Sequence, residues 1–308
     1  MAPAQAERDW WQKRLGAYPD AEGSWHHVGQ RALTHHGVNG RIDQLAIRSF
    51  GSELVCELLV PTAAAPTGIV VVVPFYDTPP LFGEPSPRTA LHDRDPADGA
   101  YGLRLADAGH AVLAVPWWFE QIAAADPATA TARSLEERYG PAAARHRREQ
   151  TMTALGRSVA DLVLAVTAFE ESGLAPGARL AAFGHSLGGK LALHLAALDP
   201  RIEAAAVHEP GLGFAHSNWA DPWYLDGEIP QERDQDDLLG LVAPRPFLLA
   251  GGGDGDGAHT LDLFRSAGRR WPAEQGPDLL LHDGGHPLRP HVMTAIGAWF
   301  SEKLPRRA

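Results

Sequence analysis

The chain is almost without cysteine. Cys56 stands alone among 308 residues, so no internal disulfide can form and nothing marks an oxidising compartment. It lies in the strand-like run Glu53–Val60 and reads as a packed thiol behaving as a small hydrophobe. Lysine is scarce as well: Lys13, Lys190 and Lys303 stand against 24 arginines. Acidic residues outnumber basic ones 38 to 27, for a net charge of −11, and no basic stripe exists. That pattern argues against nucleic acid and anionic membrane as partners. It leaves a neutral or modestly charged small molecule as the expected substrate. No run of about 18 apolar residues occurs, so no membrane span is expected. Met1–Trp11 lacks a basic segment followed by an apolar one, which predicts no signal peptide and a cytoplasmic location.

What is present is ordinary globular composition, 44% apolar and 21% charged, with 32 Gly and 25 Pro. A chain of this size buries about 75% of its unfolded surface and needs no metal or disulfide to fold. The first residues read as an amphipathic helix stopped by Pro19. The runs His27–His36 and Arg41–Val60, broken by Gly37, Gly40 and Gly51, suit antiparallel edge strands. Ile69–Val73 is an unbroken β-branched block, as expected of a central strand covered on both faces. Strands and helices then alternate. Helix is expected over 101–108, 134–173 (with a break at Gly140–Pro141), 187–198, 260–267 and 290–304. Strands are expected over 110–115, 179–183, 202–207, 246–250 and 278–281. This predicts an α/β fold with about eight strands in a mostly parallel sheet and helices on both faces. No repeat or low-complexity linker interrupts it. Residues 1–27 are expected as a helical extension and 28–308 as one domain, with rim loops near 76–100, 117–150 and 209–240.

Gly184-His185-Ser186-Leu187-Gly188 follows a strand and opens an apolar helix, the required setting of a G-x-S-x-G nucleophile elbow. The glycines make room for a strained turn, and the helix N-terminus favours a developing oxyanion. Gly184 to Lys190 also matches the start of a phosphate-binding loop, but Leu191 replaces the metal-binding Ser/Thr, and Lys190 is expected to pack on the helix flank. Downstream, Asp254 tips a Gly-rich turn after a strand, and His286 lies in a tight turn after another. The order Ser186, Asp254, His286 is that of a hydrolase triad, with His286 as base and Asp254 orienting it. Asp256 is the near rival. The Asp-Gly-Asp-Gly run lacks the Glu of a calcium loop, and His282 with His286 is not a metal pair on one helical face. No metal or cofactor is expected.

Gly184-His-Ser-Leu-Gly-Gly-Lys-Leu-Ala-Leu, Ala197-Leu-Asp-Pro-Arg-Ile, the stretch Asp237–Pro246 ending Ala-Pro-Arg-Pro, and Asp283-Gly-Gly-His carry a resemblance. Together they resemble the α/β-hydrolase superfamily, in its dienelactone hydrolase-like and acetyl xylan esterase-like branch. Ser-x-x-Gly-Lys and Ala-Pro-Arg-Pro are also similar to glucuronoyl esterases. The resemblance covers roughly residues 28–304. It implies an α/β-hydrolase fold and serine esterase chemistry, with Ser186 as nucleophile, His286 as base and Asp254 as acid. In the glucuronoyl esterase pattern the acid can instead fall at Glu209. Many relatives carry His-Gly after the third strand where this chain has Pro74-Phe75-Tyr76-Asp77. The oxyanion donors implied are the Leu187 N–H and the Tyr76 N–H, with the Tyr76 hydroxyl as substitute. Phe75, Trp117, Trp118, Trp219 and Trp223 are candidate substrate walls, or else fill the long loops. The expectation is a cofactor-free serine hydrolase of a carboxylic ester. An acyltransferase or a silent binding module is the alternative. Its partner would be a small-molecule ester, and a homodimer is compatible with the sequence.

Overall fold

The computed structural model describes residues 3–16, 23–62 and 67–306. Helix α1 (Pro3–Leu15) leads into two hairpins, and the expected stop at Pro19 lies outside the described residues. Strands β1 (Ser24–His35) and β2 (Val38–Ser49) turn across His36 and Gly37; β2 and β3 (Ser52–Pro61) turn across Phe50 and Gly51. Both turns place two residues at positive φ, 47° and 82° in the first, 49° and 72° in the second. That two-residue turn matches the right-handed twist of the strands it joins. Arg41–Val60 folds back as two strands at Gly51, one of the breaks expected in it, and β1 begins at Ser24, ahead of the expected boundary at residue 27.

From β4 (Ile69–Phe75) onward the chain winds back and forth. Helices α2 (Pro87–Leu91) and α3 (Tyr101–Asp107) lead to β5 (Ala111–Pro116), and α4 (Trp118–Ala125), α5 (Leu135–Glu149) and α6 (Ala154–Ser172) to β6 (Arg179–His185). Then follow α7 (Leu187–Leu198), β7 (Ala204–His208), α8 (Gln235–Gly240), β8 (Phe247–Gly251), α9 (Leu261–Gly268), β9 (Asp278–Leu281) and α10 (Pro290–Lys303). The sheet has nine strands in the order β1-β2-β3-β5-β4-β6-β7-β8-β9. The three pairings up to β3–β5 are antiparallel and the five that follow are parallel.

The valine block of β4 shows why a central strand carries no polar alternation. Val70 and Val72 enter one core with Trp11, Leu155 and Leu191; Val71 and Val73 enter the other with Leu105, Ile296 and Phe300. Each such side chain contributes about 1.5–3 kcal/mol by leaving water. Trp11 and Leu15 tie α1 into the first core, and the Thr153 N–H donates to the Leu15 carbonyl at 2.8 Å. The helical break expected at Gly140–Pro141 is displaced: α5 runs through Pro141, whose side chain is exposed, and ends at Glu149. Thr153 then caps α6, its hydroxyl accepting the Gly156 N–H at 3.0 Å. Among the described residues no single helix is long and apolar enough to cross a membrane.

Candidate active site

In an open α/β sheet ligands bind outside the carboxyl ends of the strands. Here those of β4, β6, β7, β8 and β9 carry the residues singled out from the sequence. Ser186 follows β6 with φ 55° and ψ −116°, a conformation that non-glycine residues adopt only under constraint. The constraint is visible. Ser186 N–H donates to the His208 carbonyl at 2.9 Å, and the Lys190 N–H donates to the Ser186 carbonyl at 3.0 Å to start α7. A Cβ on Gly184 would lie 1.9 Å from the Gly188 carbonyl oxygen, and one on Gly188 would lie 2.4 Å from that of Pro74. Those two glycines let β6, α7 and the end of β4 close on one another. Leu187 is the first residue of α7, so its N–H has no acceptor inside the helix.

His286 sits in the turn after β9, its ring 4.8 Å from that of His185, the residue before Ser186. Its Nδ1 faces Glu209 Oε2 at 3.5 Å. Glu209 follows β7 at a positive φ of 52° and is buried, whereas the His286 side chain is half-exposed. The Glu209 carboxylate accepts the N–H groups of Gly252 and Gly255. Burial alone would raise its pKa, but His286 and those two N–H groups outweigh it and hold the carboxyl down to about 2.

The other two acidic candidates occupy different places. Asp254 is exposed, and its Oδ2 accepts the backbone N–H of His286 at 2.6 Å. Its carboxylate therefore holds the main chain of the turn, while the imidazole is presented to Glu209. Asp256 is fully buried and accepts the N–H groups of Gly211 and Leu212, at 2.6 and 2.9 Å, bracing the loop after β7.

A cavity of about 520 Å³ opens beside His286 and His185, walled by Phe75, Tyr101, Asp77 and Arg289. The lining is mixed: Arg94 and Asp98 add charge, and Leu288 adds apolar surface. Phe75, a candidate substrate wall, lines this cavity. The four tryptophans do not. Trp117 and Trp118 are buried at the start of α4, the former donating to Ser158 Oγ at 3.0 Å and the latter under the Arg157 guanidinium. Trp219 is wholly buried and donates to the Gly211 carbonyl at 2.8 Å; Trp223 is buried against Tyr139. None of them lines the cavity, because each rim loop folds its aromatics inward as its own core. Tyr76 sits between cavity and core: Arg88 lies 3.6 Å over its ring, and its carbonyl accepts the Trp117 N–H at 3.3 Å.

Lys190 does more than pack on a helix flank. It is buried, and its Nζ donates to the Pro210 carbonyl at 2.7 Å and Ser217 Oγ at 2.6 Å, beneath Trp219. Sequence reasoning also missed Tyr101, Asp77 and a file of histidines. His185, His208 and His282 each close a strand or directly follow one, a shared position that is visible once the strand ends are known.

No protein-family model matches the chain, and no curated protein matches it. Solved structures do. A glucuronoyl esterase from Solibacter usitatus superposes with a TM-score of 0.68 at 16% identity, over 99% of this chain and 92% of that one. A CE15 glucuronoyl esterase from Teredinibacter turnerae T7901 gives 0.65 at 17% identity, over 97% and 84%. A dienelactone hydrolase from Anabaena variabilis gives 0.50 at 19%, over 86% and 96%. At these identities the likeness is one of architecture, and the architecture is the α/β-hydrolase fold.

Proposed function

We propose that the chain is a serine esterase in which Ser186, His286 and Glu209 form the triad. The observation that carries this is the buried Glu209 carboxylate facing Nδ1 of His286, whose ring lies 4.8 Å from that of His185, the residue before the strained Ser186. In this reading Ser186 Oγ attacks the ester carbonyl carbon while His286 Nε2 takes the hydroxyl proton. Glu209 accepts the Nδ1–H, fixes the tautomer and stabilises the imidazolium. The Leu187 N–H and the Tyr76 N–H hold the tetrahedral oxyanion. His286 then returns its proton to the departing alkoxide, leaving an acyl-Ser186. A water, deprotonated by His286, attacks that acyl carbon and releases the acid and free Ser186. Asp254 serves as a strut that holds the His286 main chain in register, and not as the group that faces the ring.

Support for esters as the substrate comes from the names of the structural neighbours, two glucuronoyl esterases and a dienelactone hydrolase. These put methyl glucuronates and lactones beside acetyl sugars and aryl esters in the test panel. The expected result is a fluorophosphonate adduct on Ser186 by peptide mass and turnover of at least one panel ester, both lost in Ser186→Ala. A chain that takes no adduct and turns over no ester contradicts the reading.

A further inference from the structure

Three histidines cross the sheet beside the nucleophile. His185 and His208 end the adjacent parallel strands β6 and β7 in register, and their Nδ1 atoms are 2.9 Å apart. His208 Nε2 is in turn 2.9 Å from His282 Nε2, and the two rings are stacked at 10°. Strand β8 lies between β7 and β9, so His208 reaches His282 across it. The crossing is possible because a glycine follows β8: a Cβ on Gly252 would lie 2.9 Å from His282 Cε1.

The direction of the file follows from one fixed end. The Gly284 N–H donates to His282 Nδ1 at 3.0 Å, so that nitrogen carries no proton. A neutral imidazole has one N–H, hence His282 holds it on Nε2 and donates to His208 Nε2. His208 must then carry its proton on Nδ1 and donate to His185 Nδ1. His185 is left with its proton on Nε2, at the end that no protein group engages among the described residues, and its ring lines the cavity.

We propose that His185 is a substrate-contacting residue whose Nε2–H donates to an acceptor oxygen on the acyl portion of the bound ester, and that His208 and His282 are positioning residues that fix this tautomer. The acyl portion is named because the ring directly precedes Ser186, where that portion stays bonded through the reaction. The proposal rests on the esterase reading. Neutrality is enforced by place. Burial pushes all three rings below the ordinary histidine range, His208 to about 3. The charged and titratable groups facing them are Glu209, His286 and Arg94 around His185, and Glu209, His291, Asp283 and Arg289 around His282. His208 faces Glu209, His282 and His286. A cation at His185 would oppose the imidazolium that His286 must form 4.8 Å away, so a neutral donor is what the site can use.

Two measurements test this separately. Long-range ¹H–¹⁵N correlation on the intact protein reads the tautomers without any substrate. The expected spectrum has His282 and His185 protonated on Nε2 and His208 on Nδ1, with no titration midpoint of the three between about pH 6.5 and pH 8. A proton on His185 Nδ1, or its titration in that interval, overturns the proposed file. The second compares 4-nitrophenyl methoxyacetate with the isosteric 4-nitrophenyl butyrate. His185→Leu is expected to lower the kcat/KM ratio for this pair by roughly 3- to 10-fold, mainly through KM, and His185→Gln, which keeps a donor, to restore part of it. An unchanged ratio in both variants overturns the donor role. Failure of the esterase reading itself shows differently, as wild-type protein that takes no fluorophosphonate on Ser186.

Discussion

Glu209 and Asp254 are both carboxylates just beyond neighbouring strands, yet their surroundings make them different groups. Two backbone N–H groups and an imidazole converge on the buried Glu209, while the exposed Asp254 takes a single main-chain N–H. Linear order favours Asp254, because the acid in such chains commonly follows the later strand. Order along the chain does not reveal which way backbone N–H groups turn, and it is those groups that favour Glu209 in the proposed triad. Because Glu209 is held at about 2, below its ordinary 4.5, it is ionised throughout the range where a histidine base works. The acid limb of a kcat/KM profile should therefore follow one ionisation, with no second inflection above about pH 4. Its contribution to stability is fully present above pH 4.5 and is lost as pH falls toward 2. Asp254→Asn keeps an oxygen acceptor for the His286 N–H, so steady-state kinetics should show a loss of kcat/KM below about tenfold. The tryptophans teach a related lesson. Their chemistry suits either a substrate wall or a loop core, and burial separates the two, with N–H partners such as Ser158 for Trp117 and Gly211 for Trp219 beside it.

Among elements, those legible in the sequence are the ones whose ends are punctuated locally. Helix α7 and strand β9 fall at the residues expected, since the elbow glycines start the first and its flanking turns bound the second. The β2–β3 turn is signalled by Gly51 alone, because Phe50 occupies the other positive-φ position, one that Asn or Gly would advertise. Pro141 misleads in the opposite direction, since it removes one hydrogen bond on an exposed face and α5 absorbs the loss. The Ala-Pro-Arg-Pro segment is a clamp on α7. Arg245 donates to the carbonyls of Ala196, Ile202 and Leu241, at 2.6, 2.6 and 3.2 Å, and so gathers the end of α7, the entry to β7 and the exit of α8. Burial lowers its pKa to about 10, which still leaves it charged. Arg245→Met should cost roughly 2–4 kcal/mol in urea unfolding by leaving those carbonyls unpartnered. A midpoint within error of wild type would show that they find other donors.

Across the whole molecule, the alternation of strands and helices was sufficient to give the sheet and its two covering layers, because the β4 valines must fill both. It was insufficient for the site, whose parts come from turns up to 100 residues apart, Ser186 to His286. The fold also buries histidines in neutral form. Burial takes His194 down to about 4 and His208 to about 3, from an ordinary 6.5. Below pH 6.5 the unfolded chain binds protons that the folded one refuses, so stability should fall from pH 6.5 toward pH 4 and below. His194→Leu, in its pocket between Trp11 and Trp219, should show a shallower fall of Tm across that interval than wild type; an identical slope removes His194 from the cause. The proposed triad turns on one carboxylate, and the most direct measurement is kcat/KM of Glu209→Gln on an ester that the wild-type protein hydrolyses. It should fall on the order of 10³–10⁴-fold with Ser186 and the fold intact; activity near wild type would contradict the triad of Ser186, His286 and Glu209.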